Sequence, residues 1–132
     1  MLEQQFVDSY SQKTPPWGFN GLGEIVYLRT YSRKKSDGEL ETWPETIQRT
    51  INGAIEIGVP YSAEDAEKLF DHMFNLRCSF SGRSLWQLGT PLVKKLNAAS
   101  LNNCYFTNIE KIEDFEMIFE YLMLGGGVGF SV

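Results

Sequence analysis

The sequence predicts an α/β fold in which a mostly helical amino-terminal region, residues 1–77, leads into the first strands of a sheet over residues 78–132. Three observations carry that reading. Two segments after Thr42 repeat apolar residues at helical spacing behind clear start signals. Two short runs, 102–107 and 128–132, read as strands. Between them a third amphipathic segment halts at a cluster of glycines.

Taken in order, residues 1–23 read as mostly irregular, because Pro15 and Pro16 remove backbone donors and Gly18, Gly21 and Gly23 loosen the chain. Residues 24–31 form a short helix or strand, and Ser36, Asp37 and Gly38 a turn. Thr42-Trp43-Pro44-Glu45 opens a helix: threonine caps, proline suits the first turn, and glutamate completes a capping box. Ile47, Ile51, Ala54 and Ile55 give its apolar stripe, and Gly58 with Pro60 ends it. Ser62-Ala63-Glu64-Asp65 opens a second helix with the stripe Ala66, Leu69, Phe70, Met73 and Leu76. From Cys78 to Thr90 serines and glycines make a loop-rich stretch around Leu85 and Trp86. Residues 102–107 read as a short buried strand entered through Asn102 and Asn103. Ile112, Phe115, Ile118, Phe119, Leu122 and Met123 mark the third helix, and residues 128–132 begin another strand. Two short strands are fewer than an independent sheet needs, so the missing ones are expected from elsewhere, as in a fragment or split subunit.

Composition narrows the functional classes. With 132 residues, 42% hydrophobic and 14% aromatic, the chain suits one folded core. A net charge of −5 argues against nucleic-acid binding, which takes a basic stripe. The cluster Arg29, Arg33, Lys34 and Lys35 sits beside Asp37, Glu39 and Glu41 and reads as a solvated face or turn. The first residues lack the positive start and apolar run of a signal peptide, and no apolar stretch reaches the roughly 18 residues of a membrane span. A cytoplasmic protein with no membrane partner is the expectation. Cys78 and Cys104 are too few for a disulfide framework and lack zinc-site spacing.

If either thiol matters, it acts as a single reactive group. Cys104 lies in the mixed polar and aromatic context Asn103-Cys104-Tyr105-Phe106, which leaves it open between a small buried hydrophobe and a reactive thiol. His72, the only histidine, is on the second helix, so cysteine–histidine hydrolase chemistry has no support. Cys78 reads as structural and His72 as a partly exposed helix residue. Gly125, Gly126, Gly127 and Gly129 do not form a phosphate loop, since Phe130 and Ser131 stand where lysine and a hydroxyl are required. Nor do they lie between a strand and a following helix, as a dinucleotide fingerprint does. Such glycines permit close approach of bare backbone to a ligand or another chain. Glu110, Glu113, Asp114, Glu116 and Glu120 lack the Glu-x-x-His pattern of carboxylate-bridged metal helices and read as a solvated face.

The motifs together resemble the amino-terminal part of the catalytic barrel of ribonucleotide reductases, most closely the adenosylcobalamin-dependent class. The resemblance runs through Trp17-Gly-Phe-Asn-Gly-Leu-Gly-Glu24, Trp43-Pro-Glu-Thr46 and Ser81-Gly-Arg-Ser-Leu-Trp-Gln-Leu-Gly89. Its most specific part is Asn103-Cys104, followed after one helix by Gly125-Gly-Gly-Val-Gly-Phe-Ser131. It implies a ten-stranded α/β barrel around a finger loop, incomplete in this chain. It further implies that Cys104, on the first barrel strand, is one of two cysteines that reduce the substrate ribose and become a disulfide. By the same resemblance Asn103 occupies a position that hydrogen-bonds near the substrate. Ser84 lies in the loop that offers a hydroxyl to the substrate phosphate, and Gly126 and Gly127 match backbone packed against the nucleotide.

The implied partners are a ribonucleotide, a thioredoxin-like or dithiol reductant, and a downstream polypeptide that completes the barrel. The thiyl cysteine, the second cysteine of the pair and the adenosylcobalamin-binding residues belong to that downstream part. A non-catalytic, reductase-like interaction module is the competing reading. A stand-alone thiol redox protein would need a resolving cysteine that the sequence does not place near Cys104.

Overall fold

The computed structural model describes residues 1–96 and 98–132. They form two compact units, Met1–Thr90 and Pro91–Val132. The first holds helices α1 (Gln4–Asp8), α2 (Leu22–Thr30), α3 (Trp43–Glu56), α4 (Ala63–Phe74) and α5 (Gly82–Gln87). The second holds α6 (Pro91–Leu96), β1 (Cys104–Asn108), α7 (Glu113–Met123) and β2 (Gly127–Ser131).

Helix α3 is the spine of the first unit and packs against α1, α4 and α5. At its start the Glu45 carboxylate accepts from the Thr42 amide at 2.6 Å and the Thr42 hydroxyl at 2.8 Å. Ser62 and Asp65 close the same reciprocal box on α4, with the Asp65 amide donating to Ser62 Oγ at 3.0 Å. Ile47 and Ile51 of α3 and Ala66, Phe70 and Met73 of α4 are fully buried. Each large apolar side chain so buried contributes about 1.5–3 kcal/mol.

Both helices end by the same device. The Gly58 amide bonds Ile55 O and the Val59 amide bonds Ala54 O, with Gly58 at φ +100°. On α4 the Leu76 amide bonds Met73 O and the Arg77 amide bonds His72 O, but the left-handed residue is Leu76, at φ +55°. That turn corrects the predicted stripe. Leu76 leaves the helix and is exposed, and Phe74 takes the buried place instead.

The shorter elements fall in place around these two. Residues 1–23 are mostly irregular, as expected, but contain α1, and Val7 and Tyr10 enter the core. Residues 24–30 are helical, within α2, and Tyr31 follows its last residue. The supposed loop from Cys78 contains α5, capped by Ser81, which accepts from the Ser84 amide. This segment belongs to the first compact unit. Cys78, expected as a structural residue, is exposed.

A buried polar network ties α5 to α3. Arg49 donates through Nε to Glu41 Oε1 at 2.7 Å and through Nη2 to Glu41 Oε2 at 3.0 Å. The same guanidinium donates to Leu88 O at 2.5 Å and Leu85 O at 3.0 Å. Glu41 Oε2 also accepts from Thr46 Oγ1 at 2.9 Å. Beside it Gly53 and Gly89 meet so closely that a Cβ on Gly53 would stand 2.2 Å from the Gly89 nitrogen. Tyr27 donates to Glu41 O at 2.8 Å, and burial pushes its phenol up to about 12, so it stays a neutral donor. Trp17 stacks on Tyr27 and Trp43 meets both rings, so the two tryptophan motifs converge on one cluster.

The second unit has one parallel pair, β1 beside β2, joined through α7. Parallel neighbours require such a crossover. The described residues hold these two strands; the ten-stranded barrel is an expectation beyond them. No helix among the described residues is long and apolar enough to cross a membrane.

Candidate active site

The site grows from the β1–α7–β2 arrangement. Helix α7 starts where the Asp114 carboxylate accepts from the Glu110 and Lys111 amides at 2.9 and 3.1 Å. Glu113, Asp114 and Glu116 in its first turn suit the positive end of the helix dipole. Its exit is again a left-handed glycine, Gly125 at φ +84°. The Gly125 amide bonds Leu122 O at 2.9 Å and the Gly126 amide bonds Tyr121 O at 3.0 Å. These bonds satisfy carbonyls that would otherwise be orphaned and aim the chain back alongside β1.

The register then decides what meets what. Cys104 pairs with Gly127, Phe106 with Gly129 and Asn108 with Ser131. Side chains alternate along a strand, so these six residues share one face. All six are exposed. Ser131 Oγ reaches Asn108 Oδ1 at 2.6 Å on that face. Tyr105, Thr107 and Val128 are half-buried on the other, toward α7. The predicted buried strand is thus buried on neither side, since only a single helix covers one face.

On the open face the Cys104 thiol therefore borders a strand with no side chain at Gly127 or Gly129. A Cβ on Gly127 would meet nothing nearer than Asn103 O at 3.7 Å. Asn103 contributes that carbonyl to the pairing, accepting from the Gly127 amide at 2.8 Å. Gly126 is buried and serves the opposite side: a Cβ there would stand 2.5 Å from Tyr105 Cε2. Tyr105 in turn stacks on Tyr121 with ring centroids 4.0 Å apart and planes 2° apart, and its hydroxyl donates to Ala99 O. The fold brings Asn103, Cys104, Gly126 and Gly127 together within the second unit. Ser84 belongs to the first, half-buried on α5 with its Oγ 3.0 Å from Ser81 Oγ.

Sequence reasoning missed the Tyr105–Tyr121–Gly126 packing. Its one available signal was a third consecutive glycine where a helix stop needs one. The Glu41–Arg49 pair is hidden in the sequence because Glu41 lies in a run of mixed charge, where a solvated face is the ordinary outcome.

A family model for the ribonucleotide reductase alpha domain matches residues 2–90. The chain belongs to the ribonucleotide reductase family. Among curated relatives, an adenosylcobalamin-dependent ribonucleoside-triphosphate reductase of Euglena gracilis is 38% identical over 99% of this chain and 21% of its own length. A putative enzyme of the same description from Mycobacterium phage D29 is 42% identical over 86% of this chain and 16% of its own. A crystal structure of a B-12 dependent (class II) ribonucleotide reductase superposes with a TM-score of 0.79 at 31% identity, covering 98% of this chain and 22% of that one. The chain spans about a fifth of the length of the reductases it matches.

The residues present do not make a corrin site. His72, the one imidazole, is exposed on α4, and the open sheet face offers only Cys104, Phe106, Asn108 and Ser131 as side chains. A cavity of about 500 Å³ in the first unit, lined in part by Trp17, Tyr27, Trp43, Lys13 and Glu24, is of a size suited to a small ligand.

Proposed function

We propose that this chain is the amino-terminal part of an adenosylcobalamin-dependent ribonucleotide reductase and works only with the remainder of that enzyme. In this reading β1 and β2 are the first strands of a ten-stranded α/β barrel whose other strands the remainder supplies. The observation that carries the proposal is the register: Cys104 stands opposite Gly127, on a face where a ribose can approach both thiol and bare backbone.

The chemistry assigned to Cys104 is reductive. A thiyl radical on a cysteine outside this chain takes a ribose hydrogen and later returns it. Between those steps the C2′–O bond breaks, the hydroxyl leaves as water, and a hydrogen takes its place. Cys104 and a second cysteine supply the two electrons and two protons and become one disulfide. A thioredoxin-like protein or small dithiol reopens it. Adenosylcobalamin is the radical source on the complete enzyme. Asn103 and the Gly126–Gly127 backbone line the nucleotide, and Ser84 offers its hydroxyl to a phosphate. Relatives named as triphosphate reductases make nucleoside triphosphates the first substrates to test, and a cytoplasmic location goes with the reading.

The test is reconstitution. The complete enzyme, given adenosylcobalamin, a ribonucleoside triphosphate and a dithiol, is expected to yield the deoxyribonucleotide, and the remainder without residues 1–132 to yield none. Full turnover by the remainder alone would make this chain an interaction module instead.

A further inference from the structure

We infer that Tyr105 is a positioning residue for Cys104: its ring, held by Tyr121 and the Gly126 backbone, fixes the twist of β1 and with it the direction of the neighbouring thiol. The inference rests on the reading of Cys104 as a redox thiol.

Adjacent residues of a strand point to opposite faces, so any rotation of the Tyr105 side about the strand axis swings Cys104 by the same angle. On the open face no β2 side chain stands opposite Cys104, because that strand carries glycine at 127 and 129, and the side-chain tie between the strands, Ser131 to Asn108, lies at their far end. Restraint beside the thiol comes from the helix side. There Tyr105 is tied at three points. One ring face lies on Tyr121 of α7 at 4.0 Å, nearly coplanar. Its Cδ2–Cε2 edge meets the Gly126 α-carbon so closely that an added Cβ would fall 2.7 and 2.5 Å from those atoms. Its hydroxyl donates to Ala99 O, in the turn that precedes β1. One side chain thus joins the crossover helix, the glycine turn and the approach to the strand. The buried glycine at 126 has a use of its own here, distinct from the bare backbone beside the thiol.

The complete holoenzyme tests this. Tyr105→Phe keeps the stack and removes the hydroxyl, and Tyr105→Leu removes the stack. Misplacing a reacting group by about 1 Å can cost about a hundredfold in rate. We expect kcat to fall about tenfold for Tyr105→Phe and about a hundredfold for Tyr105→Leu, with KM within about twofold of wild type. In a single turnover the rate at which Cys104 is converted to disulfide should fall in step with kcat. Gly126→Ala, which pushes the ring from its edge, should lower kcat as well, with any rise in KM belonging to its own backbone beside the nucleotide. If that variant does not fold, the near-isosteric Tyr105→Phe still decides. Wild-type kcat in both Tyr105 variants, or a loss confined to KM and nucleotide binding, overturns the inference. If those variants are normal while Cys104→Ser is inactive, only the positioning role falls. If Cys104→Ser retains full turnover, the redox reading falls and takes the positioning role with it.

Discussion

Cys104→Ser in the complete reductase is expected to lower kcat by about ten-thousandfold, or about 5 kcal/mol of barrier at about 1.4 kcal/mol per factor of ten. Serine keeps the size and hydrogen-bonding capacity of the side chain at the exposed position opposite Gly127, so the strand pairing and the bare backbone beside it survive. What it lacks is sulfur's ability to give up electrons and close a disulfide, which no neighbouring group on the open face replaces. KM should stay within about threefold, since the lost function belongs to the chemical step and not to ground-state binding. Cys78→Ser is the control. That residue is exposed beyond the end of α4, in the other compact unit, and its replacement should leave turnover unchanged. Chromatographic quantitation of deoxyribonucleotide, with a dithiol as reductant, reads both.

The largest effect on stability is expected at Arg49. Its guanidinium and the Glu41 carboxylate have side-chain exposures of 13% and 11%, so truncating one strands the other in a poorly hydrated site. Arg49→Met should destabilise the first unit by about 3–5 kcal/mol, the range for breaking one side of a buried pair. The Leu85 and Leu88 carbonyls lose their donors at the same time, which should loosen α5 first. Hydrogen exchange on the complete enzyme checks this through faster exchange of the α5 amides, accompanied by a lower melting temperature. Combining Arg49→Met with Glu41→Leu should recover part of the loss, because no unpaired charge remains. Full recovery is not expected: Thr46 and Arg33 also donate to that carboxylate.

What the sequence made legible follows the physics of each element. Helices α3, α4 and α7 are long enough for an apolar period to repeat, and the first two carry capping boxes that local chemistry alone explains. Helices α1, α5 and α6 run to five or six residues, below the length at which a period can be recognised. Short helices are unstable alone and persist through tertiary contacts such as the Arg49 clamp. Leu76 was misplaced because its left-handed turn carries no glycine to announce it.

For the site, the resemblance singled out Cys104 and the glycines, and residue chemistry excluded the phosphate-loop reading. Their direct opposition needed the register of β1 on β2, which depends on the whole crossover and not on either strand's pattern. Gly126 and Gly127 looked equivalent as letters. In the fold one packs against Tyr105 and the other borders the thiol.

The most direct measurement is a thiol census of the complete, pre-reduced enzyme, quenched after one turnover with no reductant present. Cys104 is predicted in a disulfide with a cysteine from outside residues 1–132, and as a free thiol when nucleotide is omitted. A Cys104 that remains a free thiol while product forms would contradict the account.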